Sequence, residues 1–252
     1  MEAVGPETLL LLFGCALGIG CIDAVSGGGG LLTVPLLLSL GFAPTHALAT
    51  NKLQGAFGTG SSTLAFAQAG VLEFRTMAPA AACAVGGAAL GTIVVQHVDP
   101  YRLRAAIPVL LIGVALYFLF ARQLNALADR PPLVRMPLFA PLIAGGIAVY
   151  DGLLGLGTGA FLVAATAGLL GQDLRRATAH AKLLNFASNL GSLLFFVLGG
   201  QVVWAAGLAM AAGQIIGARL GAMAVLAKGA KLVRPLVVLA ALAMATRFLL
   251  PG

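Results

Sequence analysis

The chain is a succession of apolar runs broken by glycine, proline and a few charges. In the first half the runs fall at about 7–26, 29–40, 44–69, 75–96 and 102–121. In the second they fall at about 136–151, 157–169, 174–198, 202–225 and 231–250. Most approach the ~20 apolar residues that a helix needs to cross a bilayer. The second run of each half is shorter, and at ~1.5 Å per residue it reaches only about 18–20 Å. This pattern predicts an all-α, polytopic membrane protein in which each half holds five helical segments. The short second segment is predicted to fold back against the first.

The two halves repeat one another. Leu48-Ala49-Thr50-Asn51-Lys52-Leu53 returns 130 residues later as Thr178-Ala179-His180-Ala181-Lys182-Leu183. The same offset relates Gly70 to Gly200, Gly87 to Gly217, Gly91 to Gly221 and Arg104 to Arg234. An offset of 128 relates Asp23 to Asp151, each just before a glycine-rich stretch, 27–30 and 155–159. Residues 1–121 therefore form a first transmembrane repeat, 122–137 a linker containing Asp129-Arg130-Pro131-Pro132, and 138–252 a second repeat. Glycine-interrupted apolar segments at matching places in two repeats point to a secondary transporter and to its binding site.

Composition supports a membrane class. Hydrophobic residues make up 60% of the chain and charged ones 9%, against roughly 25% charged in soluble domains. The net charge of +7 is read as an orientation signal and not as nucleic-acid binding. With five segments per half, Arg75, Arg122, Arg130, Arg135, Arg175, Arg176, Lys228, Lys231 and Arg234 fall on one side, and Arg102, Arg104 and Arg247 on the other. The richer side is cytoplasmic by the positive-inside rule. Both termini are then periplasmic, in an inner membrane, and an odd number of crossings per half makes the repeats inverted. Cys15, Cys21 and Cys83 lie in apolar stretches without CxxC spacing, so neither a disulfide framework nor a metal site is indicated. No basic region precedes the first apolar run, which argues against a signal peptide.

Charges inside the bilayer are costly and mark function. Lys52, Gly55, Thr59 and Ser62 share one helix face, as do Lys182, Asn185, Asn189 and Ser192. Each stripe joins a cation to small and polar groups, as a cavity lining would; Asn51 adds an amide beside Lys52. The alternative for the lysines is snorkelling to the interface. Glycines 27–30 and 155–159 break a run and begin a short helix, so N–H groups near Gly28, Gly29, Gly157 and Gly159 are predicted to face an anion. Gly87-x-x-x-Gly91 and Gly217-x-x-x-Gly221 read as close helix packing. Asp23 and Asp151 are read as partners of the lysines, as proton-coupling groups, or as caps of the short helices. His180, near Lys182, is a further relay candidate, while His46 reads as a packing or cap residue. Arg219 reads as snorkelling or locally paired.

The runs Asp23–Pro35, Ala47–Gln54 and Ala177–Asn185 resemble the sulfite exporter TauE/SafE family, also called the toluene sulfonate uptake permease family. The resemblance extends over nearly the whole chain and is strongest to bacterial members that carry both lysine motifs. It implies movement of a sulfur-containing anion such as sulfite, thiosulfate or an organosulfonate. The reading is a secondary transporter, proton-coupled, with a small anion and the lipid bilayer as its partners, no cofactor and no nucleic acid. Self-association is left open. An anion channel, or an uptake permease for a non-sulfur organic anion, is the alternative. An enzyme is disfavoured: the three histidines are scattered and no HExxH or GxSxG occurs.

Overall fold

A computed structural model describes residues 4–120 and 131–228; the side chains of 115–120 and 228 are not included. The predicted segment at 231–250, both termini and most of the linker lie outside the described residues. Nine helices are described: α1 Pro6–Ser26, α2 Gly29–Ser39, α3 Pro44–Gln68, α4 Phe74–Gln96, α5 Pro100–Phe120, α6 Met136–Leu153, α7 Thr158–Leu170, α8 Leu174–Leu198 and α9 Trp204–Lys228. The predicted runs match these within a few residues.

Proline at the first turn starts α1 and α3, where its missing N–H is not needed. Gly27, at φ 74°, ends α1 in the left-handed conformation, and Gly171 does the same for α7 at φ 66°. Inside α6 the backbone widens to π register over Phe139–Gly145, where Pro141 has no N–H to return to the preceding turn. The short helices fold back as predicted. Leu37 of α2 packs in one cluster with Leu12 and Ala16 of α1; Leu162 and Val163 of α7 pack with Phe139 and Ala140 of α6.

Five of the described helices are long and apolar enough to cross a membrane. Outward positions carry exposed leucines, such as Leu10, Leu64, Leu90, Leu142, Leu194 and Leu220. In water such a surface would aggregate; in hydrocarbon it costs nothing. The molecule is a polytopic, all-α membrane protein. Helix α3 is the exception in composition: Lys52 and its polar stripe are buried within it.

Helix packing follows the sequence repeat. A Cβ on Gly217 would collide with the carbonyl oxygen of Leu17, and one on Gly221 with that of Cys21. A Cβ on Gly87 would collide with the carbonyl of Gly145, and one on Gly91 with that of Val149. The glycines correspond at an offset of 130 and the struck carbonyls at 128. The contact of α9 on α1 is thus repeated by α4 on α6, and the expected close packing of both motifs is present. Between the pairs, α3 and α8 cross antiparallel: Gly55 meets Asn189 while Gly60 meets Phe186. Thr59 and Asn189, which correspond in the repeat, touch there at 3.5 Å.

Candidate functional site

The two lysines do not reach for the membrane surface. Lys52 and Lys182 are 1% and 0% exposed, and each points across the repeat boundary to the aspartate of the other half. Lys52 Nζ lies 2.7 Å from Asp151 Oδ2, and Lys182 Nζ lies 2.9 Å from Asp23 Oδ2. Each aspartate ends its helix just before the glycine break, and each lysine sits on a helix of the central crossing. The duplicated sequence therefore builds two interlocked ion pairs. Two bare charges at such depth would be expensive; pairing them offsets most of that cost.

The pairs differ in what surrounds them. Lys182 Nζ donates to Asp23 Oδ2 and also to the backbone carbonyl of Asp23. That carbonyl receives the Gly27 N–H at 2.7 Å. Asp23 Oδ1 accepts the N–H of Gly29 at 2.8 Å, which caps α2. Asp151 makes no such bond to α7 among the described contacts. Its Oδ2 accepts the Ser188 hydroxyl at 2.6 Å. Lys52 Nζ, despite its short contact with Asp151, forms no well-directed hydrogen bond. An ammonium has three donors, so Lys52 is the cation with capacity to spare.

Between the pairs lies a polar cavity of about 20 Å³, room for about one water. Of the residues the sequence singled out, Asp23, Gly29, Asn51, Thr59, Asp151, Gly159, Asn185 and Asn189 line it. Lys52, Lys182, His180, Gly28, Gly157 and Ser62 are not among its lining residues. Gly157, at φ 74°, shapes the start of α7, and Ser62 spends its proton on the carbonyls of Gly58 and Thr59. The cavity also takes in Gly27, Gly30, Gln54, Gly55, Gly155, Thr158 and Gln214. Gly30 and Gly155 face each other so closely that a Cβ on Gly30 would strike the Gly155 carbonyl. Three lining side chains carry a buried oxygen without a partner: Gln54 Oε1, Thr158 Oγ1 and Gln214 Oε1.

His180 turns away from this site. Its Nε2 accepts the Glu73 N–H at 3.2 Å, and Nδ1 lies 2.7 Å from Gln172 Oε1. Glu73 corresponds to Val203 and His180 to Thr50, and the Val203 N–H donates to Thr50 Oγ1 at 3.3 Å. His180 thus fills a loop-anchoring position that a threonine fills in the other half. His46 also ties a loop, with Nδ1 at 2.7 Å from the Gln201 carbonyl, and Arg219 donates to Gln68 Oε1 at 3.0 Å.

Comparison with known proteins agrees with this architecture. The family described as "Sulfite exporter TauE/SafE" matches residues 12–248. "Probable membrane transporter protein YfcA" of Escherichia coli (strain K12) is 42% identical over 246 residues, covering 98% of this chain and 91% of the relative. "Probable membrane transporter protein ORF9" of Sinorhizobium sp is 39% identical over 249 residues, 99% of this chain and 95% of the relative. "Probable membrane transporter protein" of Haemophilus influenzae is 40% identical over 244 residues, 97% of this chain and 95% of the relative. No solved structure matches the chain significantly. A family match over nearly the full length, with relatives about 40% identical across the chain, means that the chain belongs to the sulfite exporter TauE/SafE family of membrane transporters.

Proposed function

We propose that this chain is a secondary transporter that moves a small sulfur-containing anion, coupled to protons, across the inner membrane. The observation that carries this reading is the pair of crossed lysine–aspartate bridges on either side of one small polar cavity. An arriving anion competes with a carboxylate for its lysine. The displaced aspartate, left in a low-dielectric interior, takes up a proton. Anion and proton movement are thereby linked at one place, with Lys52 and Lys182 as cations and Asp23 and Asp151 as proton acceptors. Thr59, Asn51, Asn185 and Asn189 offer hydrogen bonds, and Gly29 and Gly159 keep the backbone close. His180, bonded to the loops, is a poor relay on these contacts.

Two features support alternating access over a channel. A cavity with room for about one water is smaller than any sulfur oxyanion, so a helix must move before an anion binds. The repeats also offer a symmetric way to move. The contacts of α1 with α9 mirror those of α6 with α4, and the antiparallel crossing of α3 and α8 is the arrangement inverted repeats require. The Arg176–Glu73 pair at 3.3 Å and the bond from the Leu133 N–H to the Leu169 carbonyl at 2.9 Å gather the segments holding Arg75, Arg135, Arg175 and Arg176 at one end. We assign that end to the cytoplasm and the termini to the periplasm.

Uptake into proteoliposomes tests the reading. Sulfite, thiosulfate and a simple sulfonate are offered beside phosphate and carboxylates, with and without a pH gradient. The expected result is saturable flux of at least one sulfur anion, accelerated by the gradient, and loss of that acceleration in Asp23→Asn or Asp151→Asn. Flux that never saturates would establish a channel. Preference for a carboxylate would overturn the sulfur assignment and leave the carrier.

A further inference from the structure

Around the cavity the duplication keeps its lysines and aspartates and does not keep two of its amides. Gln54 corresponds to Leu184, and Gln214 corresponds to Ala84. Both glutamines are 1% exposed, both line the cavity, and both carry an Oε1 with no hydrogen-bond partner. Gln54 is fixed in orientation, because its Nε2 donates to Thr33 Oγ1 at 3.2 Å and to Asn51 Oδ1 at 3.0 Å. Its carbonyl is the end left over.

Gln214 is seated by two glycines. A Cβ on Gly20 would stand 3.0 Å from Gln214 Oε1, and one on Gly58 would stand 2.9 Å from its Nε2. At the corresponding places the second half has Ala148 and Ser188, with Ala84 opposite. There the polar group, Ser188, is given to Asp151. In the first half the polar group does not bond Asp23. It lines the cavity with its amide packed beside Gly20 and Gly58.

A buried carbonyl without a donor costs ~1–3 kcal/mol, and two around one cavity need a reason. An anion that only accepts hydrogen bonds gives them none. Thr158 Oγ1, unspent, and Lys52, once it leaves Asp151, suit the acidic head of a ligand. The two carbonyls suit a donor on the same ligand. We propose that Gln54 and Gln214 form an acceptor face that selects anions bearing a hydrogen-bond donor of their own, such as a protonated oxyanion or an amino- or hydroxy-substituted acid. This rests on the anion-binding reading and narrows its substrate class.

The test uses matched pairs of monoanions on the purified full chain in nanodiscs, with dissociation constants read by titration calorimetry. Sulfamate and methanesulfonate differ by NH2 against CH3 on the same SO3 head. Glycolate and propionate differ by OH against CH3 on a carboxylate. The donor-bearing member should bind about tenfold tighter, the factor one satisfied hydrogen bond is worth. Each glutamine is then replaced by the residue its own repeat counterpart carries. Gln54→Leu should bring the ratio within about twofold, and Gln214→Ala should reduce it. Equal binding within a pair by the unaltered protein overturns the acceptor face and leaves the anion site standing. A ratio that survives Gln54→Leu and Gln214→Ala also overturns it. Failure of all four anions to bind overturns the anion site, and the selection with it. Because the unaltered protein alone can refute the proposal, misfolding of a variant does not shield it.

Discussion

Lys182 and Lys52 occupy corresponding places, face corresponding aspartates and are equally buried, yet they are bonded differently. Lys182 is tied to a carboxylate and to the backbone at the end of α1, and its aspartate caps α2. Lys52 touches one carboxylate oxygen and has no directed bond, while that oxygen also holds Ser188. The first bridge is thus the more heavily bonded of the two, and on the proposed mechanism the second is the easier for an anion to open. Duplication fixed where these charges sit; the residues around each charge then gave the two bridges different bonding.

The largest effect should come from breaking the more heavily bonded bridge. Lys182→Met leaves the Asp23 carboxylate buried without its cation, a loss of about 3–5 kcal/mol for such pairs. Unfolding in detergent should show it as a large fall in midpoint. Adding Asp23→Asn should restore part of it, since the uncompensated charge is gone. Lys52→Met should cost less stability, because it breaks one contact with Asp151, whereas Lys182→Met breaks bonds to both the carboxylate and the backbone carbonyl of Asp23. Equal losses at the two lysines would remove the distinction between the two bridges.

The order should reverse in binding. If the anion docks on Lys52, Lys52→Met removes a charge-assisted hydrogen bond worth about 1.5–3 kcal/mol, or roughly 10–100-fold in affinity. Lys52→Arg is a sharper probe: it keeps the charge, and the planar fork cannot fit beside Gly155, where a Cβ would already stand 2.8 Å from Nζ. Titration of the successful anion from the uptake panel reads both variants. Affinity unchanged in Lys52→Met would move the docking site to Lys182 and invert the comparison.

What the sequence made legible followed from spacing. Helix positions, the glycine packing motifs and the lysine–aspartate candidates all came from periodicity and from the internal repeat, two signals that neighbouring residues carry. Gln54, Thr158 and Gln214 escaped because a single amide or hydroxyl in an apolar helix has no period of its own. Their meaning depends on glycines at positions 20 and 58 and on a cavity formed by seven helices. His180 stands apart from the cavity for a related reason. It lies two residues from Lys182, and on a helix such neighbours face apart. The repeat carries the same arrangement, since Thr50 stands two residues before Lys52 in the same way.

Where the halves agree, their responses should agree. Gly87→Ala and Gly217→Ala each drive a methyl into a backbone carbonyl of the partner helix. A clash with backbone cannot be relieved by a rotamer change, and overpacking of this kind costs about 1–3 kcal/mol. The two variants should lower the unfolding midpoint by similar amounts. A large difference would show that α4 on α6 and α9 on α1 are not equivalent hinges, and rocking of one repeat against the other would lose its symmetric basis.

The smallest effect is expected at His180, and it bears on where protons travel. If His180 is a relay, removing its titratable ring abolishes acceleration by a pH gradient. If it is a loop anchor, any acceptor that reaches the Glu73 N–H will serve. His180→Thr installs the residue that anchors Val203 in the other half. It gives up the contact with Gln172 and keeps an oxygen for Glu73, so stability should fall by no more than about 1 kcal/mol. Gradient-driven flux should persist. Its loss in His180→Thr, with folding intact, would place the histidine in the proton path and take the coupling away from the two aspartates. Persistence would leave Asp23 and Asp151 as the titrating groups closest to the anion, and would mark the histidine as one more place where the halves solved the same structural problem with different side chains.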